Sequence, residues 1–291
     1  MNRLHPYDLG LWASLACTWE ATARKAGNVH PDCAFADLTY TDLLVSAAAI
    51  APVFAREADR GVGHLVLESI RLTRRVVRTN TNLGIVLLLA PLAAGRPSLP
   101  LREGLAEVLR TLTIDDSRQV YQAIRLAQPG GMGETAEQDV GNQPTLPLRE
   151  VMALAQNRDL IARQYVNGFR EVLDEGLPAL VRGLQVWGNL EDAIVGTHLD
   201  LLADHPDSLI ARKCGPAMAD EASRRARAVL AAGWPLSAGG QRAFAEFDAW
   251  LRADGNRRNP GTTADLVAAC IFAALRDNKI GLPLAVPWSR L

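Results

Sequence analysis

The chain has 291 residues, enough to bury a sizeable core without disulfide or metal staples. Apolar residues make up 48% and charged residues 22%, an ordinary globular balance that excludes a disordered chain. Lys and Arg number 31 against 32 Asp and Glu, so no net field steers nucleic acid or anionic lipid, and no nucleic-acid partner is expected.

Apolar residues recur at three- and four-residue spacing and strand signals are nearly absent, which predicts an all-α chain. Leu9, Trp12, Ala16, Trp19 and Ala23 form the stripe of a first helix entered through His5-Pro6. Thr39 with Asp42 has the form of a capping box, opening a second helix toward Arg56 with a kink or break at Pro52. A third helix covers about residues 64–78. Asn80, Thr81 and Asn82 then offer cap-type side chains to an apolar helix over 83–94. Further helices are predicted over 101–112 and 116–126, the latter capped by Asp115. Residues 129–147 mix glycines, prolines and acids without periodicity and read as a long loop, of the length used for lids or linkers. Helices are then predicted over 148–173, 178–187, 190–205 (capped by Asn189), 207–230, 241–253 and 262–276. No fixed-period repeat or shift of composition divides residues 1–291, so one compact all-α, multi-helix domain is expected.

Cys17, Cys33, Cys214 and Cys270 contain no CxxC pair, which excludes a zinc knuckle or dithiol centre and leaves core thiols of a reducing compartment. The longest apolar run, 85–94, is too short to span a bilayer and contains Pro91. Asp8 and Glu20 interrupt the N-terminal apolar residues, unlike a signal peptide. A cytoplasmic protein with no membrane partner is expected.

Three loop-to-helix junctions are unusually polar: residues 25–32, 80–84 and 256–265. Helix N-termini bind anions and glycine admits a ligand to the backbone, so these junctions suit a phosphorylated substrate. In the last, Arg258, Gly261, Thr262 and Thr263 are placed to hold phosphate oxygens while Asp265 takes a metal or a hydroxyl; a plain capped helix is the alternative. Glu20 and Glu68 lie on largely apolar helices, where a carboxylate needs a partner or a metal if buried and nothing if at an edge. Asp200, Asp204, His205, Asp207, Arg212 and Lys213 are close in sequence and read as either a hard-cation site or a solvated charged face. The GxGxxA match at Gly131, Gly133 and Ala136 follows a helix rather than a strand, so it is no dinucleotide motif. No GxxxxGK[ST], GxSxG or HExxH occurs.

Taken together the junctions resemble the triphosphoribosyl-dephospho-CoA synthase family over about residues 20–275. That family has a glutamate before a Lys-Pro-Gly turn, a second glutamate before Asn-Thr-x-x-Gly, and a C-terminal Asn-Pro-Gly-Thr-x-Ala-Asp. Here these are Glu20 with Lys25, Ala26 and Gly27; Glu68 with Asn80, Thr81, Asn82, Leu83 and Gly84; and Asn259, Pro260, Gly261, Thr262, Thr263, Ala264 and Asp265. Ala26 replaces the proline, and Asn82-Leu83 stands where the family has His-Lys. The wording around 25–31, 80–92, 158–165 and 207–213 is more similar to a divergent branch of methanogens and methanopterin-using bacteria.

The resemblance implies an all-α, Mg2+-dependent pentosyltransferase that moves the 5-triphosphoribosyl group of ATP to an acceptor hydroxyl and releases adenine. It implies 3′-dephospho-CoA as acceptor or, in the divergent branch, a ribitol-bearing precursor of tetrahydromethanopterin. It makes Glu20, Glu68 and Asp265 the catalytic carboxylates and Glu68, Asp207 and Asp265 the metal ligands. ATP and its phosphates fall to Lys25, Gly27, Asn80, Thr81, Asn82, Gly84, Arg212, Lys213, Arg258, Asn259, Gly261, Thr262 and Thr263. A metal-dependent nucleotide phosphohydrolase using Asp200, Asp204, His205 and Asp207, and a non-catalytic assembly protein, are the alternatives. Apolar helix faces are compatible with a homodimer.

Overall fold

The computed structural model describes residues 6–96, 98–129 and 137–289, and among these the regular structure is helical. In chain order the α-helices are α1 Pro6–Thr22, α2 Tyr40–Arg56, α3 Val62–Val76, α4 Leu83–Ala94, α5 Leu101–Thr111, α6 Ile114–Ala127 and α7 Leu148–Ala155. They continue with α8 Leu160–Asn167, α9 Leu177–Trp187, α10 Leu190–Asp204, α11 Ser208–Cys214, α12 Pro216–Ala231, α13 Ala238–Arg252 and α14 Gly261–Arg276. A 3₁₀ turn, Ala58–Arg60, and a π-helical segment, Glu171–Gly176, complete the regular elements. Extended pairing among the described residues is confined to one bridge between His30 and Cys33. No helix among them is long and apolar enough to cross a membrane.

Two helices set the architecture. Both α4 and α14 carry apolar residues around nearly their whole circumference, the pattern of a helix without a solvent face, and both are buried along most of their length. They lie side by side and parallel. At one end the Asp265 carboxylate occupies the space a side chain on Gly84 would need; at the other, Arg276 Nη2 donates to the Gly95 carbonyl at 3.0 Å. From Gly84 to Gly95 and from Asp265 to Arg276 the interval is the same, so the pair keeps step over about 16 Å at the helical rise. The remaining helices wrap this pair: α1 packs on α2 and α14, α3 on α2, α4 and α6, and α10 on α9, α12 and α14.

Several boundaries differ from the sequence reading. Helix α2 runs through Pro52 without a break, and α1 packs on it so closely there that a Cβ on Gly10 would overlap the Ala51 carbonyl. The cap of α6 is Thr113 rather than Asp115; Thr113 and Asp116 form the reciprocal box that Thr39 and Asp42 form at α2. The helix expected over 148–173 is three segments: Asp159 caps α8, Gly168 at φ 77° ends it, and the next turn is π-helical. The helix expected over 207–230 divides at Gly215, whose φ of 90° no other residue adopts readily. Of the expected loop, residues 130–136, with the Gly131, Gly133 and Ala136 match, lie outside the described residues. The following stretch is irregular, tied to α6 by Tyr121, which donates to the Gln138 carbonyl, and by Arg125 Nη1, which donates to the Val140 carbonyl at 2.6 Å.

Candidate active site

Asp265 lies in the second turn of α14, the first turn holding no acidic residue, with its carboxylate against the first turn of α4. Glycine is required at position 84 by this approach: a Cβ there would overlap the Asp265 carboxylate and meet Ile161 Cδ1 at 2.8 Å. Burial pushes the Asp265 carboxyl well above the usual range, and the negative charges of Glu20, Asp207 and Asp159 push it further, against the opposing charge of Arg212. Three further segments, those of Glu20, Asp159 and Asp207, therefore meet at the common N-terminal end of α4 and α14.

The first contributes Glu20, in the last turns of α1. Its Oε1 lies 2.9 Å from Lys25 Nζ, and Lys25 is fully buried. Nζ also donates to the Glu20 carbonyl and, at 3.2 Å, to the Ala23 carbonyl, so its three donors have acceptors. Lys25 thus holds Glu20 rather than presenting a free charge to phosphate. The turn that follows is pinned to the other junction: Gly27, at φ 75°, donates its N–H to Asp248 Oδ1 at 2.7 Å, and Asn28 Nδ2 donates to Asn259 Oδ1 at 2.7 Å. His198 of α10 is buried near Lys25. Desolvation and the Lys25 charge take its pKa down to about 3, with the Pro260 carbonyl opposing, so the imidazole is neutral. Cys17, one turn before Glu20, is an inert thiol, pushed up by burial and then by the charges of Glu20 and Asp265.

The other two segments are capped helix starts. Asp159 Oδ1 accepts from the N–H groups of Ile161 at 2.8 Å and Ala162 at 3.2 Å, while its Oδ2 receives Arg212 Nη1 at 2.6 Å. Asp207 is fully buried and saturated. Its Oδ1 accepts from Leu209 and Ile210 N–H at 2.8 and 3.0 Å, and its Oδ2 from Thr263 N–H and Oγ1 at 2.7 and 2.8 Å. Asp207 and Thr263 therefore weld α11 to α14, a structural task that leaves neither facing a ligand. Asp159, which sequence reasoning missed, stands beside Arg212 at the site.

On α4, Asn80 Oδ1 accepts from Leu83 N–H at 3.2 Å, Thr81 and Ser46 hydroxyls share a bond of 2.6 Å, and Asn82 Nδ2 donates to Thr73 Oγ1 at 3.1 Å. The buried Oδ1 of Asn82 has no partner. Neither α4 nor α14 has a side-chain bond from its N-cap residue. Apart from the N–H groups of Leu83, Gly261 and Thr263, which are bonded, the leading amides of this parallel pair present two positive dipole ends to the same place.

Other candidates are placed elsewhere. Glu68 is half-buried on α3 and paired with Arg71 Nη1 at 2.5 Å; the charges that bear most on Asp265 do not include it. Arg258 turns onto α13, donating to the Trp250 carbonyl at 2.9 Å with its guanidinium 4.7 Å from the indole centroid. The Lys213 carbonyl accepts from Arg257 Nη2 at 2.9 Å, and Thr262 is buried beside Thr263. Asp200 pairs with Arg182 at 3.2 Å and His205 with Glu175 at 2.5 Å. With Asp207 occupied as well, the phosphohydrolase constellation does not assemble, and among the described residues no group of three His, Cys, Asp or Glu side chains is arranged to hold a metal ion.

Comparison with known proteins gives consistent matches. Residues 6–283 match the family model described as ATP:dephospho-CoA triphosphoribosyl transferase. A protein of Pseudomonas paraeruginosa described as a 2-(5''-triphosphoribosyl)-3'-dephosphocoenzyme-A synthase is 33% identical over 105 residues, 36% of this chain and 35% of that protein. One from Pseudomonas syringae pv. syringae with the same description is 27% identical over 188 residues, 59% of this chain and 64% of that protein. The matches thus span between about a third and just under two thirds of these relatives' length. A crystal structure from Archaeoglobus fulgidus, described as a triphosphoribosyl-dephospho-CoA synthase, superposes with a TM-score of 0.62 at 29% identity, covering 80% of this chain and 98% of that one.

Proposed function

Because the chain belongs to the ATP:dephospho-CoA triphosphoribosyl transferase family, we propose that it moves the 5-triphosphoribosyl group of ATP to an acceptor hydroxyl and releases adenine. One observation supports this above others: two helix N-termini without N-cap side chains and Arg212 gather at the place where Glu20 and Asp265 come within electrostatic reach of each other.

In such a transfer the bond from ribose C1′ to adenine breaks with its electron pair going to the base, and the acceptor oxygen bonds to C1′. Positive charge builds at C1′ as the base departs. Glu20, fixed by Lys25, is the carboxylate to stabilise it. Asp265, whose carboxyl is raised, takes the proton of the acceptor hydroxyl, and adenine leaves neutral once a proton reaches its ring nitrogen. Arg212, oriented by Asp159, and the amides of α4 and α14 receive the triphosphate. No phosphoanhydride is cut, so a Walker sequence is not needed.

The donor set suits magnesium arriving on the triphosphate, since that ion needs only one or two carboxylates beside phosphate oxygens. Asp159 would hold it there, and the ion would supply neutralisation of the phosphate charge. For the acceptor we favour 3′-dephospho-CoA, the compound in the family's description. Ala26 and Asn82-Leu83, which depart from the family motifs, make a ribitol-bearing tetrahydromethanopterin precursor the second acceptor to test.

The test is chromatography of adenine released from ATP with magnesium, each acceptor supplied separately. Adenine with a mass-shifted dephospho-CoA is expected. A shift of the pterin precursor alone would reassign the acceptor. Phosphate without adenine would replace transfer by hydrolysis, and failure to bind ATP would favour an assembly protein.

A further inference from the structure

A cavity of about 600 Å³ opens beside the loop between α3 and α4, apart from the carboxylate cluster. That volume is within the range of small-ligand sites. Arg74 and Arg78 line it together with Asp37, Asp42, Asn80 and Val76. Arg74 donates to the Arg78 carbonyl, which holds the two arginines together where the chain leaves α3 at the extended residue Val77. Neither arginine makes a carboxylate ion pair among the described residues.

A basic helix C-terminus is ordinary by itself, since cations suit the negative end of the dipole. The cavity beside it is not, and neither is its connection to the site. Asn80 lines the cavity and also bonds the N–H of Leu83, the residue before Gly84, on which Asp265 presses. Four residues span at most about 14 Å, so a ligand seated in the cavity has the reacting carboxylate within the length of a nucleotide. Asp42 is already occupied: its Oδ2 accepts from Thr39 N–H at 2.9 Å and Thr39 Oγ1 at 2.6 Å, and these bonds hold its carboxyl below the usual range. Asp37 is exposed, and Val76, 53% exposed, supplies an apolar wall.

We propose that this cavity binds a nucleoside di- or triphosphate, its phosphates on Arg74 and Arg78 and its hydroxyl or amino groups toward Asp37. A lining that contains both arginines and an aspartate fits that chemistry better than a bare anion, because charge-assisted bonds are available to phosphates and to hydroxyl or amino groups alike. The inference rests on the transfer reading, in which two nucleotide-containing substrates must be held at once.

The test is isothermal calorimetry of the purified full chain with ATP and with dephospho-CoA as separate titrants, comparing wild type, Arg78→Gln and Arg75→Gln. Arg75 lies in the last turn of α3, three residues before Arg78, but does not line the cavity, so its variant controls for general charge. Arg78→Gln is expected to weaken one nucleotide at least fivefold with unchanged thermal stability, and Arg75→Gln to stay within twofold of wild type. Loss confined to ATP assigns the cavity to the donor, and loss confined to dephospho-CoA assigns it to the acceptor. Equal affinities in wild type and Arg78→Gln, equal losses in both variants, or a wild type that binds neither nucleotide would overturn the proposal. Binding is read without turnover, so a chain that binds through Arg78 yet releases no adenine fails the transfer reading alone.

Discussion

Gly84→Ala is the most informative single perturbation, because one added methyl tests both the architecture and the chemistry. The new Cβ would overlap the Asp265 carboxylate and lie 2.8 Å from Ile161 Cδ1. The carboxylate must swing aside or α4 and α14 must part. Overpacking of this kind costs about 1–3 kcal/mol of stability, and displacing a reacting group by about 1 Å costs on the order of 100-fold in rate. Adenine release should therefore fall about 100-fold, with a lower denaturation midpoint. Pairing the change with Asp265→Ala removes the main obstruction. In that background Gly84→Ala should lose much less stability, a coupling of about 1–2 kcal/mol, the remainder arising from Ile161, whose flexible tip can give way. Gly239→Ala is the control: its nearest neighbour, the Ala232 carbonyl, would lie at 3.6 Å, and the change should be neutral or slightly stabilising. A Gly84→Ala protein with wild-type rate and melting temperature would refute the packing of α4 against Asp265 and, with it, the site.

Asp265→Asn should lower adenine release at least tenfold yet raise the melting temperature at pH 8. The folded carboxyl is raised, so the stability it contributes is present at low pH and declines as pH climbs through its folded value; asparagine has no such decline, and a lower melting temperature at pH 8 would count against the crowding described. Glu20→Gln should reduce turnover at least tenfold, whereas Glu68→Gln, paired at 2.5 Å with Arg71, should stay within about threefold. Equal losses would return Glu68 to the reacting centre. His198, neutral in the fold with its pKa down to about 3, binds a proton below pH 6.5 only when unfolded. Wild-type stability from urea melts should therefore fall by about 2 kcal/mol between pH 7 and pH 5 through this group. His198→Asn should flatten that part of the profile, and an unchanged slope would show the imidazole is not buried as described.

What the sequence discloses depends on whether an element announces itself locally. Helices α4 and α14 are legible because their apolar residues leave no polar face, and the Thr39 and Asn189 caps because capping chemistry acts within three residues. The break at Asp159 is hidden, since Leu160, Ile161 and Tyr165 prolong the apolar pattern of α7 and periodicity runs on through it. A signal did exist. Leu-Ile-Ala-Arg occurs at residues 160–163 and again at 209–212, each time with an aspartate within two positions before it. In the fold the two copies interlock: Arg212 reaches Asp159, and Leu160 N–H donates to Ser208 Oγ at 3.2 Å. Lys25, Asp207 and Thr263 are of the right types for phosphate or metal, and only the three-dimensional count of their bonds shows each already occupied.

That count also separates Asp265 from its neighbours. Four carboxylates and two cations gather at the α4–α14 end, and three of the carboxylates are matched: Glu20 by Lys25, Asp159 by Arg212, and Asp207 by backbone and hydroxyl donors of α11 and α14. Asp265 has no hydrogen-bond or ion-pair partner among the described residues, and desolvation by burial, followed by the like charges around it, raises its folded carboxyl. A structural aspartate at a helix start would look like Asp207, saturated by amides and stabilising two elements at once. Unmatched negative charge held against a glycine brings the fold no such return, and its energetic cost is one a hydrophobic residue would avoid. The nearby dipole ends of α4 and α14 lessen that cost but do not remove it, since the shift remains upward. A carboxylate raised in this way is a better proton acceptor than an ordinary surface aspartate, which is the property the proposed transfer to a hydroxyl asks of Asp265.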